Sequence, residues 1–309
     1  MSRTIAVRVA QTHLLTPMVR ELLLEPLSGS LPAFSAGSHV QVHLPNGRRN
    51  AYSLLGDPAQ TGHYRIAVRR QSQSRGGSHF IHDELDVGDR LTISAPANLF
   101  PVHSKARLHL LIAAGIGITP FMAYCAELTR QGQDFELHYA CRPGISDAYL
   151  DTLREQLGPR LHVYASPTRR LDLNTLLSQR PLGTHVYACG PQTLIDALRE
   201  QSQALGWPAS RVHWEAFAAP EPGNPFDVHL ARSGRQLKVN AEDSLLEALE
   251  AAGIEVPNLC RGGVCGQCQT AYIDGAVEHR DLFLSDHERS THLMPCVSRS
   301  CGRALVLDI

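Results

Sequence analysis

Four cysteines near the end of the chain carry the most specific chemistry: Cys260, Cys265 and Cys268 in one short stretch, and Cys296 farther on. Their spacing, C-x4-C-x2-C with a distant fourth thiol, is the ligand pattern of plant-type 2Fe–2S centres. Two irons need four thiolates, and three must come from one tight loop to surround the cluster. Glycines at 262, 263 and 266 suit such a loop, because Gly tolerates positive φ and lets backbone N–H groups approach the sulfurs. A zinc site is the competing reading, but structural zinc sites usually come as two C-x2-C-like pairs.

Two glycine turns suggest what fills the cluster. Gly115-Ile116-Gly117-Ile118-Thr119-Pro120 follows an apolar run and opens a helix, with Thr119 expected as N-cap and Pro120 as the first helical residue. Glycines there let a dinucleotide pyrophosphate approach the backbone and a helix N-terminus. A tight strand–helix turn would explain this segment equally well on its own. Cys189-Gly190-Pro191 ends a later strand and starts another helix, and paired turns at the carboxyl ends of parallel strands are where open α/β sheets bind ligands. Upstream, Arg49-Asn50-Ala51-Tyr52-Ser53 and Arg75-Gly76-Gly77-Ser78 are flavin candidates. A tyrosine can cover an isoalloxazine face, a serine can bond its N5 edge, and a Gly-Gly-Ser turn can hold a phosphate. A strand tyrosine in a core and an ordinary helix cap are the plain alternatives.

The elements that must position these residues fall into three blocks. At 309 residues the chain exceeds one ordinary core. Residues 1–103 alternate as short strands (Ile5–Val9, Val40–Leu44, Tyr64–Val68, Leu91–Ile93), with one helix near Ser78–Leu85, which predicts an antiparallel β-barrel. Residues 104–222 alternate strands (Leu108–Ala113, Phe135–Ala140, Leu161–Tyr164, His185–Ala188, Val212–Glu215) with helices, which predicts a doubly wound α/β parallel sheet. The proline-rich stretch Ala218–Pro225 reads as a linker. Residues 226–309 begin with a strand and hairpin, followed by a helix with a Ser244/Glu247 capping box, the cysteine loop and a closing strand, Ala304–Asp308.

The order of these blocks resembles the phthalate dioxygenase reductase family, within the ferredoxin–NADP reductase superfamily. The resemblance rests on Tyr52-Ser53, Arg75-Gly-Gly-Ser78, Gly115–Pro120, Cys189-Gly-Pro191, Glu215-Ala-Phe217 and the four cysteines, and it extends over essentially the whole chain. It implies a flavin-binding β-barrel, an NAD-binding α/β domain and a plant-type β-grasp ferredoxin domain. It further implies FMN rather than FAD, a 2Fe–2S cluster and NADH, with the sequence Ala165-Ser166-Pro167-Thr168-Arg169-Arg170 leaving NADPH open. Phe217, Ser53 and Cys189 are then the residues at the flavin edge. The family's flavin motif R-x-Y-S requires arginine at position 50, where this chain has Asn50. Arg49 is the expected replacement, with Arg48 beside it. Ala114 stands where relatives often have glycine.

The implied partner is a Rieske-type oxygenase component. Another acceptor, such as a cytochrome P450 or a demethylase without a Rieske centre, and a non-catalytic redox sensor are the alternatives. Net charge of −1 and a pI near 7.0 give no support for nucleic acid or an acidic surface. The N-terminus lacks a signal-like apolar core, and no apolar run is long enough to span a bilayer, so a soluble, cytoplasmic monomer is expected. Cys125, Cys141 and Cys301 are expected to be structural thiols, and Arg261–Gln267 the docking rim of the cluster.

Overall fold

Alternating apolar residues in the first hundred positions commit one strand face to a core. In β1 (Thr4–Thr16) and β2 (Val19–Pro26), Val7, Val9, Leu22 and Leu24 are fully buried, and Val9 lies opposite Leu24 across the ladder. The computed structural model describes residues 4–72, 74–165, 170–217 and 222–309. With β3 (Ser38–His43), β4 (Arg49–Ser53), β5 (Tyr64–Arg69), β6 (Arg90–Ser94) and β7 (Ala97–Asn98), these strands form a 7-stranded antiparallel sheet. Its order is β4-β3-β6-β1-β2-β5, with β7 on β3. The two ends approach each other where Leu55 N–H donates to Arg65 O at 2.9 Å, which curls the sheet into a barrel. The expected helix over this region is a short α1 (Gly77–His79) that widens into a π-helical turn, Phe80–Glu84. The i→i+5 bond from Leu85 N to Phe80 O lets both Ile81 and Leu85 reach the barrel core.

Strand–helix alternation then produces a parallel sheet. Its strands are β8 (Leu108–Ala114), β9 (Phe135–Cys141), β10 (Leu161–Ala165), β11 (Thr184–Gly190) and β12 (Val212–Ala216), in the order β10-β9-β8-β11-β12. Helices α2 (Thr119–Arg130) and α3 (Leu150–Leu157) cover one face, with Leu128 and Leu153 in its core. On the other face lie α4 (Leu173–Leu177) and α5 (Gln192–Ala204), which bury Leu176, Ile195 and Leu198. The strand order reverses between β8 and β11, so the ends of these two strands are the crevice of a doubly wound sheet.

Barrel and sheet belong to one unit, which ends at Phe217. They share an apolar cluster that includes Val19, Leu55 and Phe100 from the barrel and Phe121, Tyr124 and Tyr187 from the sheet layer. Polar contacts cross the same seam. Ala36 N–H donates to Glu127 Oε2 at 3.1 Å, and Glu21 Oε2 accepts from Tyr149 at 2.5 Å and from Arg65 at 2.7 Å.

The second unit is a 5-stranded mixed sheet of order β14-β13-β19-β15-β17. Its strands are β13 (Phe226–Leu230), β14 (Gln236–Val239), β15 (Thr270–Asp274), β17 (His292–Leu293) and β19 (Ala304–Leu307). A small ladder joins β16 (Val277–Glu278) to β18 (Arg299–Ser300), and α7 (Asp286–Arg289) lies between them in sequence. Helix α6 (Leu245–Ala251) packs Leu245, Leu246 and Leu249 inward. Its capping box forms as the sequence predicts: Glu247 N–H donates to Ser244 Oγ at 3.1 Å, and Ser244 N–H to Glu247 Oε2 at 2.8 Å. The fold is thus a barrel, a parallel α/β sheet and a ferredoxin-type sheet, the multidomain class that the sequence implies. No helix of the described residues is long and apolar enough to cross a membrane.

Candidate functional site: a thiol cage and two turn-lined cofactor sites

The four cysteines come together. Cys268 and Cys296 are buried and their sulfurs lie 3.3 Å apart. Cys260 and Cys265 form the other pair, and sharing a proton with Cys260 lowers the Cys265 thiol to about 6 while raising its partner. Backbone N–H groups of Gly262 and Val264 are directed at the Cys260 sulfur, that of Gln267 at Cys265, and that of Gly263 at Cys296. Converging thiols with amide donors around them fit a 2Fe–2S cluster, which needs thiolate ligands and N–H bonds to sulfur. Gly263 and Gly266 have positive φ, and a Cβ on Gly266 would meet the Phe283 ring at 2.3 Å, so the loop backbone can run this close only with glycine.

Arg261 is not on the docking rim that the sequence suggests. It is 8% exposed, at φ +54°, and pairs with both carboxylate oxygens of Glu250 at 2.8 and 2.7 Å. Asn258 Oδ1 accepts a further bond from it at 3.2 Å. A guanidinium fits this bidentate geometry better than it fits solvent, so Arg261 ties the cysteine loop to α6. Of that stretch Val264 and Gln267 are exposed, as are Leu282 and Phe283 nearby in the chain's next loop. Asp281 is buried behind Gly263, its Oδ2 capping the amides of Phe283 and Leu284 at 3.2 and 2.8 Å, and its Oδ1 is 3.7 Å from His279. Cys125 and Cys141 are buried, and Cys301 is exposed.

The nucleotide turns also meet. A Cβ on Gly117 would lie 2.1 Å from Cys189 O and 2.8 Å from Gly190 N, so the Gly115 turn packs directly on the end of β11. Gly115 supplies φ +56° there. A Cβ on Gly190 would sit 2.9 Å from that of Ala114, so glycine at 190 is what lets the two strand ends approach here. Thr119 is not an N-cap. Residues 115–118 form a 3₁₀ turn continuous with α2, so Thr119 is already helical and its hydroxyl donates back to Ile116 O at 3.0 Å. Pro120 occupies the first turn as expected, and Pro191 precedes α5. Cys189 is fully buried, and burial keeps its thiol protonated. It lies opposite Glu215 in the β11–β12 ladder, and Phe217 follows that strand 43% exposed, so it is not a packed core ring. Ser166–Arg169 of the NADPH-related segment and the first residues of the linker lie outside the described residues.

In the barrel, Ser53 ends β4 at 4% exposure with no hydrogen-bond partner for its Oγ. An unpaired buried hydroxyl costs about 1–3 kcal/mol, so it calls for a ligand with a polar edge. Tyr52 shares a strand face with Asn50, which donates to its hydroxyl at 3.2 Å, and burial pushes the phenol up to about 12. Gly76 adopts φ +101°, and a Cβ on Gly77 would fall 2.3 Å from Asn50 Nδ2. Ser78 Oγ accepts from Gln71 N–H at 3.1 Å. Arg49 lies opposite His43 in the ladder, and strand alternation puts it on the other face from Tyr52. Asn46, which the sequence did not single out, and Arg48, named there beside Arg49, donate to Arg75 O at 3.3 and 2.9 Å. These features fit a flavin whose ring edge meets Ser53 and whose phosphate meets the 75–78 turn.

One further cluster has ligand atoms close together: Glu136, His138 and His162 on β9 and β10. Arg180 binds both Glu136 oxygens at 3.1 and 2.9 Å, and the two imidazoles stack with 10° between planes. Parallel rings do not aim their nitrogens at one ion, so this is an ion-paired structural network.

Residues 228–301 match the 2Fe-2S iron-sulfur cluster binding domain, and residues 95–212 match the dimethylamine monooxygenase subunit DmmA-like N-terminal domain. The chain is 67% identical over 309 residues, 100% of both chains, to the haem-dependent oxidative N-demethylase beta subunit of Ectopseudomonas mendocina (strain ymp). To the carnitine monooxygenase reductase subunit of Escherichia coli (strain K12) it is 45% identical over 98% of each chain. The solved structure of phthalate dioxygenase reductase, described as modular for electron transfer from pyridine nucleotides to [2Fe-2S], superposes with a TM-score of 0.88. Identity there is 35%, over 99% of this chain and 98% of that one. The shared motifs, fold and end-to-end similarity place this chain in the phthalate dioxygenase reductase-like family of oxidoreductases, NADH- and flavin-dependent 2Fe–2S reductase components of oxygenase systems.

Proposed function

We propose that this chain takes electrons from NADH through FMN and its 2Fe–2S centre and delivers them to the oxygenase component of an N-demethylating system, with a haem-bearing acceptor. The observation that carries the acceptor is the 67% identity, end to end, with a beta subunit named for haem-dependent oxidative N-demethylation. A Rieske-type acceptor is the second reading, favoured by the resemblance to phthalate dioxygenase reductase.

Residues 1–103 serve as the flavin domain, 104–222 as the nucleotide domain and 226–309 as the cluster domain. When bound, the nicotinamide, flavin and cluster supply the hydride and electron chemistry. The chain's own residues position and shield. Gly115, Gly117, Thr119 and Pro120 shape the pyrophosphate turn, and Cys189, Gly190 and Pro191 its opposite wall. Ser53 offers its unpaired hydroxyl to the flavin edge. Tyr52 borders the ring, and Phe217 covers the face that the nicotinamide must reach. Arg75, Gly76, Gly77 and Ser78 hold the phosphate. Cys260, Cys265, Cys268 and Cys296 ligate iron. No buried acid–base pair is required, because hydride transfer depends on orientation and excluded water.

The test is electron delivery by the reconstituted full-length protein. NADH should reduce cytochrome c or ferricyanide, and NADH oxidation should couple to a haem N-demethylase component in preference to a Rieske oxygenase. Absence of any NADH-driven reduction would sink the reductase reading, and coupling only to a Rieske component would replace the acceptor. A monomer in a cytoplasmic location completes the proposal, and sedimentation of the purified protein tests the first part.

A further inference from the structure

The family motif places arginine at position 50, and this chain has Asn50. The amide there is already committed: Nδ2 donates to Tyr52 OH at 3.2 Å and packs where a Gly77 Cβ would be. Arg75 lies in the turn itself, and the sequence offers two further cations near position 50, Arg48 and Arg49. Strand geometry separates them. Successive residues of β4 alternate faces; Asn50 and Tyr52 share one face, so Arg49 belongs to the other. Arg48, two residues before Asn50, is brought to the Gly76–Gly77 turn, where its Nη1 donates to Arg75 O at 2.9 Å. Asn46, two residues earlier again, reaches the same carbonyl through Nδ2 at 3.3 Å, with that nitrogen 3.0 Å from a Cβ built on Gly76. Asn46, Arg48 and Asn50 thus form a row of donor side chains along the 75–78 turn, with one guanidinium in it.

We propose that Arg48, and not Arg49, supplies the guanidinium charge to the flavin phosphate, replacing the family arginine from two residues upstream on the same side of the strand. Its bond to the Arg75 carbonyl anchors the cation beside Gly76 and Gly77, whose missing side chains let the Asn46 and Asn50 amides lie close against the turn. The inference rests on the FMN reading above.

A comparison of FMN with riboflavin isolates the phosphate, because the two ligands differ only there. Affinities of both are measured by flavin fluorescence quenching on flavin-depleted full-length protein, for wild type, Arg48→Gln, Arg48→Lys and Arg49→Gln. Losing a charge-assisted phosphate bond should weaken FMN by roughly 10- to 100-fold in Arg48→Gln. Riboflavin affinity should be unchanged, which also shows that the barrel is folded. Arg48→Lys should be intermediate and Arg49→Gln close to wild type. Loss of FMN affinity in Arg49→Gln with Arg48→Gln unaffected would overturn the assignment, as would equal losses for FMN and riboflavin. Wild-type protein that binds flavin but does not prefer FMN to riboflavin would overturn the phosphate role of the turn itself. Protein that binds neither would refute the underlying flavin reading.

Discussion

Replacing Gly117 with alanine tests the contact on which the nucleotide site depends. The added methyl would stand 2.1 Å from Cys189 O, 2.4 Å from its carbonyl carbon and 2.8 Å from Gly190 N, all backbone atoms at the carboxyl end of β11. None is the end of a flexible side chain, so the two turns must separate by about 1 Å or more to restore ordinary contact. Overpacking of this kind costs about 1–3 kcal/mol, which should lower the melting temperature by several degrees for a unit of this size. The larger effect falls on chemistry. A misplacement near 1 Å at a positioning element can cost on the order of 100-fold, so ferricyanide reduction at limiting NADH should drop by that order. Flavin content should stay intact, because the barrel is untouched. Gly62→Ala is the control, since nothing lies within 4 Å of its added methyl and its backbone has no positive φ. A Gly117→Ala protein with wild-type melting temperature and kcat/KM for NADH would refute the reasoning.

Other outcomes follow from the same geometry. Ser53→Ala removes a buried hydroxyl that has no partner, so flavin-free protein should be as stable as wild type or slightly more so, while flavin reduction by NADH in stopped flow slows about 10-fold or more; equal reduction rates would remove Ser53 from the flavin edge. Glu250→Gln leaves Arg261 buried without its counter-charge, at a cost of about 3–5 kcal/mol. The cysteine loop should then release iron faster to a chelator, and unchanged release would count against the clamp. His109 is 1% exposed, and burial, then the charges of His103 and His213, lowers its pKa from 6.5 to about 4. Only the unfolded chain takes up this proton between those values, so the stability it contributes is present above pH 6.5 and lost as pH falls towards 4, by on the order of 3 kcal/mol. Urea midpoints of His109→Leu should depend less steeply on pH over that range, and an unaltered slope would show that His109 does not titrate this way.

Much of the fold was legible because periodicity and punctuation agree. Strands from Leu108 to Val212 alternate with helices, α3 and α5 running into Gly158 and Gly206, and the capping box at Ser244 formed as written. The cysteine cage was legible for a different reason: its ligands are specified by spacing alone. What sequence could not supply was direction. Thr119 has the residue type of an N-cap, but the preceding 3₁₀ turn gives it helical dihedrals. Arg261 looks like a surface charge beside the cysteines, yet Glu250, eleven positions earlier on another element, draws it inward. Arg48 and Arg49 are adjacent letters, and only the strand's alternation separates their faces.

The seam between barrel and sheet has an evolutionary consequence. Phe100 from the barrel packs on Tyr124 and Tyr187, the Ala36 amide binds Glu127, and Tyr149 shares Glu21 with Arg65. A recombination that swapped the barrel alone would strand Glu127 and Tyr149 without their partners and open a gap among these rings. The unit that ends at Phe217 is therefore the smallest block of barrel and sheet that can be exchanged between relatives without repair. Cofactor preference for the flavin and for the nicotinamide should accordingly be inherited together.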